Sequence, residues 1–405
     1  MNTPLSRPQK RLLTLLVIIY SSAYFCRLNL SAALDGMIGA LSLSISRAGY
    51  LQTVFALVYV CGQLVNGTIV DRVNPARYML TGIIGSALCN MAMGLASAYP
   101  ALLFIWALNA AFQSMLWTPV MRLIAMHFLE DDQRQRANAL LALALTFGHL
   151  GAWAISGFLS GLVGWRFSFI VPGCIAMLAG LLSLRPLGRF GAAPPERQRQ
   201  AVRSAHSGEP IARVFSSTGF FHVLIACVLY GFIRDGVVTW TPTLLARLGT
   251  AALTATAFTL ILPLLNSAGV AAGFTLRRRG AKAHSVVVLM MAAAIVCGAL
   301  LLMQEGVLAT AVLLGLICAG MYGANTMLTG LIPLEYDRVG KTGLTAGLID
   351  SLIYAGSALA GAVGGALYET MGTQALYASW IAAAAAAAAL MALAGRMSAR
   401  YWRSR

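Results

Sequence analysis

Twelve apolar runs, each long enough to cross a lipid layer as a helix, follow one another along this 405-residue chain with little between them. A helix rises about 1.5 Å per residue, so about 20 residues span the roughly 30 Å of hydrocarbon. The runs cover residues 11–34, 48–70, 77–97, 101–126, 137–162, 165–184, 218–246, 252–276, 284–303, 307–332, 342–368 and 373–397. In lipid every backbone N–H and C=O must be satisfied internally, and a helix does so within one segment. Charged residues make up only 10% of the chain, against about 25% in a soluble domain. Too little polar surface remains to clothe a water-soluble globule. The expected fold class is an all-α membrane protein with twelve transmembrane helices.

The apolar start after Arg7, Lys10 and Arg11 has the outline of a signal peptide. It is too long, contains Arg27 and lacks a small-residue cleavage site, so it reads as the first membrane helix. The formal net charge is +16. Its carriers sit in short clusters between apolar runs, not on a face interleaved with aromatics, which argues against nucleic acid. The seven cysteines lie inside apolar stretches without C-x-x-C or Cys/His spacing. They read as small hydrophobes, with no disulfide framework and no metal site.

Orientation follows from the cations. The termini and the loops after spans 2, 4, 6, 8 and 10 hold 23 of the 29 Lys and Arg residues. The other side holds Arg47, Arg166 and Arg247, and Arg27, Arg122 and Arg234 lie within spans. The excess predicts that both termini are cytoplasmic. Connections are short except residues 185–217, rich in proline and arginine, which read as a basic cytoplasmic linker. The expected domains are a six-helix half over 1–184, that linker, and a second half over 218–405.

Corresponding features recur at one offset. Gly67, Asp71 and Arg72 mark the end of span 2, with Arg77 beyond; Gly273, Arg277 and Arg278 mark the end of span 8, 206 residues on, with Lys282 beyond. Arg27 and Arg234 occupy matched depths of spans 1 and 7, His149 and Tyr354 matched positions of spans 5 and 11. Gly157/Gly161 and Gly361/Gly365 form matched G-x-x-x-G pairs, which let helix backbones approach closely. Such duplication predicts two pseudo-symmetric six-helix bundles that rock about a central site. Gly67, Asp71, Arg72 and Arg77 are expected to form a cytoplasmic gate, with Asp71 capping or pairing with a neighbouring helix end.

An arginine deep in lipid costs at least about 2.5–3.5 kcal/mol and needs a reason. Arg27 lies about 16 residues into span 1, roughly 24 Å along the helix. Arg234 lies as far into span 7. Two guanidinium forks in one cavity suit a phosphate or carboxylate, so the expected partner is a small anion. Tyr24 and Tyr230 lie one turn before their arginines and face the same way. His149 is a polar ring in lipid that titrates near neutral pH. Asp350, one turn before Tyr354, is the candidate coupling carboxylate. Asp35 and Asp235 resemble it, though Asp235 adjoins Arg234 and is expected to point elsewhere on the helix. Arg122 is read as a structural partner for a loop carboxylate.

These residues carry a resemblance. Gly67 to Arg77 resembles the loop 2–3 signature of the major facilitator superfamily, G-x-x-x-D-R-x-x-x-x-R. Span 1, with Tyr24, Arg27 and Asn29, resembles the Y-x-x-R-x-N-x-S of the organophosphate:phosphate antiporter family, which includes the glycerol-3-phosphate and hexose-phosphate transporters. Span 7, with Arg234, Trp240 and Pro242, is similar to its R-x-G-x-x-x-W-[ST]-P. The resemblance implies that Arg27 and Arg234 bind phosphate, that His149 contacts substrate and that Tyr354 lines the pocket. There are departures. Gln63 stands where relatives usually carry lysine, and Thr146, Thr239 and Asn266 replace other polar or acidic positions. A lost positive charge suits a monoanion such as a sugar acid.

The expected function is secondary transport of an organic anion, an organophosphate or related compound, across the inner membrane by alternating access. Exchange with phosphate and coupling to protons both stay open, as do a sugar-acid:proton symporter and a transporter-like sugar-phosphate sensor. No phosphate-binding loop, nucleotide fingerprint or nucleophile elbow points to an enzyme or a cofactor. The lipid bilayer and a small anion are the expected partners, with the monomer as the working unit.

Overall fold

The computed structural model describes residues 5–70, 72–128, 131–191, 210–249, 252–339 and 342–403. Among these residues the chain is helical, without strands. The helices are α1 (Arg7–Leu41), α2 (Ile45–Ile69), α3 (Pro75–Leu95), α4 (Tyr99–His127), α5 (Asp131–Leu162), α6 (Phe167–Gly188), α7 (Ile211–Thr218), α8 (Phe220–Arg247), α9 (Ala252–Thr259), α10 (Ile261–Arg278), α11 (Ala283–Leu301), α12 (Val307–Asn325) and α13 (Thr342–Arg403). Among the described residues, ten helical segments are long and apolar enough to cross a membrane. Helix α13 runs through the expected spans 11 and 12, broken at Gly372, whose φ of 79° is left-handed. Glycine adopts that conformation without the Cβ clash that hinders other residues.

The expected spans shift at their ends. Helix α1 starts earlier because Ser6 and Gln9 form a capping box: Ser6 Oγ accepts from Gln9 N, and Gln9 Oε1 accepts from Ser6 N. The short α7 occupies the end of the expected linker, while residues 192–209 of that linker lie outside the described residues. Span 8 is two helices, α9 and α10, that meet at Leu260. Span 10 closes with a π-helical segment, Thr326–Leu331.

The chain divides into two compact units. The first comprises Met1–Leu43, Val54–Glu196 and Ala251–Leu260; the second comprises Ser44–Thr53, Arg197–Thr250 and Ile261–Arg405. In the first unit, Leu12, Leu16 and Ile19 of α1 pack with Met79 and Ile83 of α3 and with Val120 and Leu123 of α4. Large apolar side chains are also exposed, among them Leu95, Phe104 and Leu182. Lipid is their natural solvent, since an aqueous surface rarely carries so many.

In the second unit α8 and α13 meet backbone to backbone. A Cβ on Gly231 would lie 1.9 Å from Ile353 O, and one on Gly356 would lie 1.9 Å from Val228 O. Neither carbonyl can retreat without moving its helix. Gly361 of the expected G-x-x-x-G pair likewise faces Gly49 O, where an added Cβ would come within 2.3 Å. The sequence pattern marks Gly361 but not Gly49. In the first unit, Gly157 packs on the Thr256 side chain.

Candidate functional site

In the first unit, Arg27 is lodged among aromatic rings. Its guanidinium carbon lies 4.5 Å from the Tyr59 ring centre, 5.4 Å from Phe55 and 6.0 Å from Tyr24. Phe55, Tyr59 and Gln63 follow one another at four-residue spacing, so α2 presents them on one face. Aromatic faces attract a cation, the more so where water is scarce. Gln63 Nε2 donates to Tyr59 Oη at 2.7 Å, and Thr118 Oγ1 donates to Gln63 Oε1 at 3.2 Å. A neutral relay therefore reaches from α4 through Gln63 to the ring against which Arg27 lies.

His149 joins the same cluster. Its ring centre lies 4.8 Å from that of Tyr24, and a Cβ on Gly148 would lie 2.9 Å from Tyr24 Cβ. Glycine at 148 thus lets α5 close on α1. Trp153, one turn further, packs edge-on against His149 and donates from Nε1 to Ser31 Oγ at 2.9 Å. The structure thereby brings Arg27, Tyr24, His149 and Gln63 together.

A buried polar network grips α1 beside Arg27. Asn90 Nδ2 of α3 and Asn109 Nδ2 of α4 both donate to Cys26 O at 3.0 Å. Gln113 Nε2 donates to Ala23 O at 2.9 Å and to Ser86 Oγ at 2.8 Å. Asn29 Nδ2 donates to Asn90 Oδ1 at 2.7 Å and to Ser168 O of α6 at 3.0 Å. Three helices thus fix the turn of α1 that carries Tyr24 and Arg27. Replacing Asn90 by leucine strands several of these partners and should lower stability by about 1–3 kcal/mol. Chemical unfolding in detergent measures that loss.

In the second unit, Arg234 of α8 forms a two-pronged ion pair with its neighbour. Nε lies 2.6 Å from Asp235 Oδ1, and Nη2 donates to Oδ2 at 2.9 Å. This corrects the expectation that Asp235 points elsewhere. The two Cβ atoms do diverge, but the long arginine side chain curls back over the carboxylate. Both side chains are largely buried, at 13% and 15% exposure. Charges in so dry a setting are far cheaper paired than apart.

The tyrosines gather as the spacing predicts. The Arg234 guanidinium lies 5.5 Å from the Tyr230 ring and 5.9 Å from that of Tyr354, which α13 supplies. Tyr230 Oη donates to Met321 O at 2.9 Å and lies 3.2 Å from Asn325 Oδ1. Arg234 Nη1 reaches the same Asn325 oxygen at 3.5 Å. Asn325 closes α12 where the π-helical turn begins, and such turns are frequent at functional sites. Asp350 lies one turn before Tyr354 on α13.

The remaining expectations are less connected. Arg72 and Arg77 are exposed, Gly67 falls within α2, and Asp71 lies outside the described residues. Glu130, in the loop after α4, lies outside them too. Thr239 and Asn266 are buried in the second unit. Sequence reasoning missed Phe55, Tyr59, Asn325 and the network around Cys26. The four-residue stripe on α2 was a usable signal. The amides were not, because nothing in their spacing shows which backbone they hold.

Comparison with known proteins adds four findings. The sequence profile of the Major Facilitator Superfamily matches residues 16–361. A probable hexose phosphate transport protein of Chlamydia muridarum (strain MoPn / Nigg) is 26% identical over 163 residues, 40% of this chain and 36% of that one. The membrane sensor protein UhpC of Escherichia coli (strain K12) is 28% identical over 163 residues, 40% of this chain and 37% of its own. The matched stretch thus spans little more than a third of each relative. A bacterial homolog of the human lysosomal transporter Spinster, solved inward-facing and unoccupied, superposes with a TM-score of 0.77 at 16% identity, covering 98% of this chain and 99% of its own. That likeness is one of fold.

Proposed function

Because this multi-pass membrane chain belongs to the Major Facilitator Superfamily, we propose that it is a secondary active transporter of a small organic anion, working by alternating access in the plasma membrane with both termini cytoplasmic. The setting of Arg27 carries this reading. A guanidinium far along a membrane helix is stacked at 4.5 Å on Tyr59 and stands on a backbone turn held from three other helices. So costly a charge, so firmly placed, suits a ligand of opposite sign. Arg27 and Arg234 bind the anion, and Tyr24, His149, Gln63, Tyr230 and Tyr354 contact it. Binding neutralises the arginines and allows reorientation.

Two observations support an anion of single charge. Asp235 already matches the charge of Arg234, and Gln63 is neutral and engaged with Tyr59. A sugar acid or a singly charged phosphate ester fits that balance, and kinship with a hexose phosphate transport protein supports a cargo of sugar size. Exchange with phosphate needs no coupling carboxylate; in proton symport Asp350 takes that role. The 28% identity to a membrane sensor protein favours a second reading, in which the anion is bound and signalled without flux.

The test is a thermal-shift screen of purified protein against phosphate esters and sugar acids, followed by uptake of the best ligand into proteoliposomes. A ligand at 100 times its Kd stabilises by about 2.7 kcal/mol. Stabilisation with uptake is the expected result. Stabilisation without uptake supports the sensor, and a screen in which only apolar compounds stabilise overturns the anion reading.

A further inference from the structure

A groove of about 740 Å³ opens on the first unit between α3, α4 and α6. Its size falls within the roughly 300–1,000 Å³ of small-molecule sites, and it lies apart from the cluster around Arg27. At one end stand three exposed guanidinium groups, Arg77 from the first turn of α3 and Arg185 and Arg189 from the end of α6. Away from them the wall turns apolar. Leu80, Ile84 and Leu88 repeat at four-residue spacing along α3, and Leu184 faces them from α6. Leu88 is 54% exposed and Leu184 44% exposed, so this wall opens to the hydrocarbon.

The floor is built on one glycine. A Cβ on Gly85 would lie 2.4 Å from the Phe112 ring. Without it, Phe112 lies flat on α3 and leaves a trough above. From Arg77 to Leu88 the trough follows eleven residues of helix, roughly 16 Å. A cationic end followed by an apolar trough matches an amphiphile with an anionic head and an alkyl tail. It does not match a small soluble anion, which has no use for the leucine wall. Arginine forks hold phosphate oxygens by paired N–H bonds. Basic pockets between membrane helices on the cytoplasmic side are suited to anionic lipid headgroups.

We propose that this groove binds one anionic diacyl phospholipid of the cytoplasmic leaflet. Arg77, Arg185 and Arg189 hold the headgroup phosphate, and one acyl chain lies along Leu80, Ile84 and Leu88 over Phe112. The choice of leaflet rests on the cytoplasmic termini proposed above; the proposal does not depend on what the chain transports.

Native mass spectrometry of the full chain, titrated with phosphatidylglycerol or with phosphatidylcholine of the same acyl chains, tests it. Wild type should retain phosphatidylglycerol at least about tenfold better than phosphatidylcholine, because both carry the phosphate but the fixed cation of choline is repelled by the three guanidinium groups. The R77Q/R185Q/R189Q variant should lose that preference. Thr81→Trp keeps all three charges and fills the trough from an exposed position on its rim, so it should lose retained phosphatidylglycerol even if the triple variant folds poorly. Equal retention of the two lipids by wild type overturns the proposal, as does unchanged phosphatidylglycerol binding in Thr81→Trp. Inorganic phosphate stabilising wild type as much as the lipid does, and losing that effect in R77Q/R185Q/R189Q, would also overturn it, since the groove would then be an anion pocket without use for a tail.

Discussion

Arg27→Lys should cut anion uptake into proteoliposomes by about two orders of magnitude, while the protein still folds and inserts. Lysine keeps the positive charge but loses the planar fork that meets two oxygens at once. It also loses the flat face that lies 4.5 Å from the Tyr59 ring. A hundredfold loss corresponds to about 2.7 kcal/mol, within reach of one misplaced charge-assisted contact. The surroundings of residue 27 stay intact, because the polar network holds the Cys26 and Ala23 carbonyls and not the arginine head. A monodisperse gel-filtration peak with uptake lost is the expected combination. Uptake within threefold of wild type would remove Arg27 from the binding site.

Asp235→Asn should have the second large effect, first on stability. It leaves the largely buried Arg234 without its carboxylate. Breaking a buried pair from one side typically costs about 3–5 kcal/mol, and the contact of Arg234 Nη1 with Asn325 Oδ1, at 3.5 Å, is too long to offset much of that. An anion that binds Arg234 replaces the missing charge. The variant should therefore melt well below wild type without ligand and recover most of the difference when the anion identified by the screen is added. The anion should also bind this variant more tightly than wild type, because it no longer competes with Asp235. Melting curves with and without ligand check both points. A variant that melts with wild type and ignores the anion would show that the pair is ornamental to binding.

Much of this was legible in the chain. Lipid-length runs led to the membrane helices, because lipid leaves the backbone few alternatives. The pairing of each arginine with a tyrosine one turn away was readable from helical geometry, and Tyr24 and Tyr230 lie where that spacing puts them. The Arg234–Asp235 pair was misjudged for a physical reason. Backbone direction separates adjacent side chains, but a flexible arginine spans that angle when water is not there to solvate the carboxylate. The π-helical turn after Asn325 and the grip on Cys26 O were invisible for another reason. Both depend on which helices become neighbours, and spacing within one helix carries no record of that.

The most direct measurement is a double-mutant cycle on anion affinity, by titration calorimetry, with Arg27→Lys, Arg234→Lys and both together. If both guanidinium groups hold one anion, each single change weakens binding by about tenfold or more, and the double change falls well short of the product of the two. If affinity survives either change, or the losses simply multiply as for independent positions, the two arginines do not share a ligand.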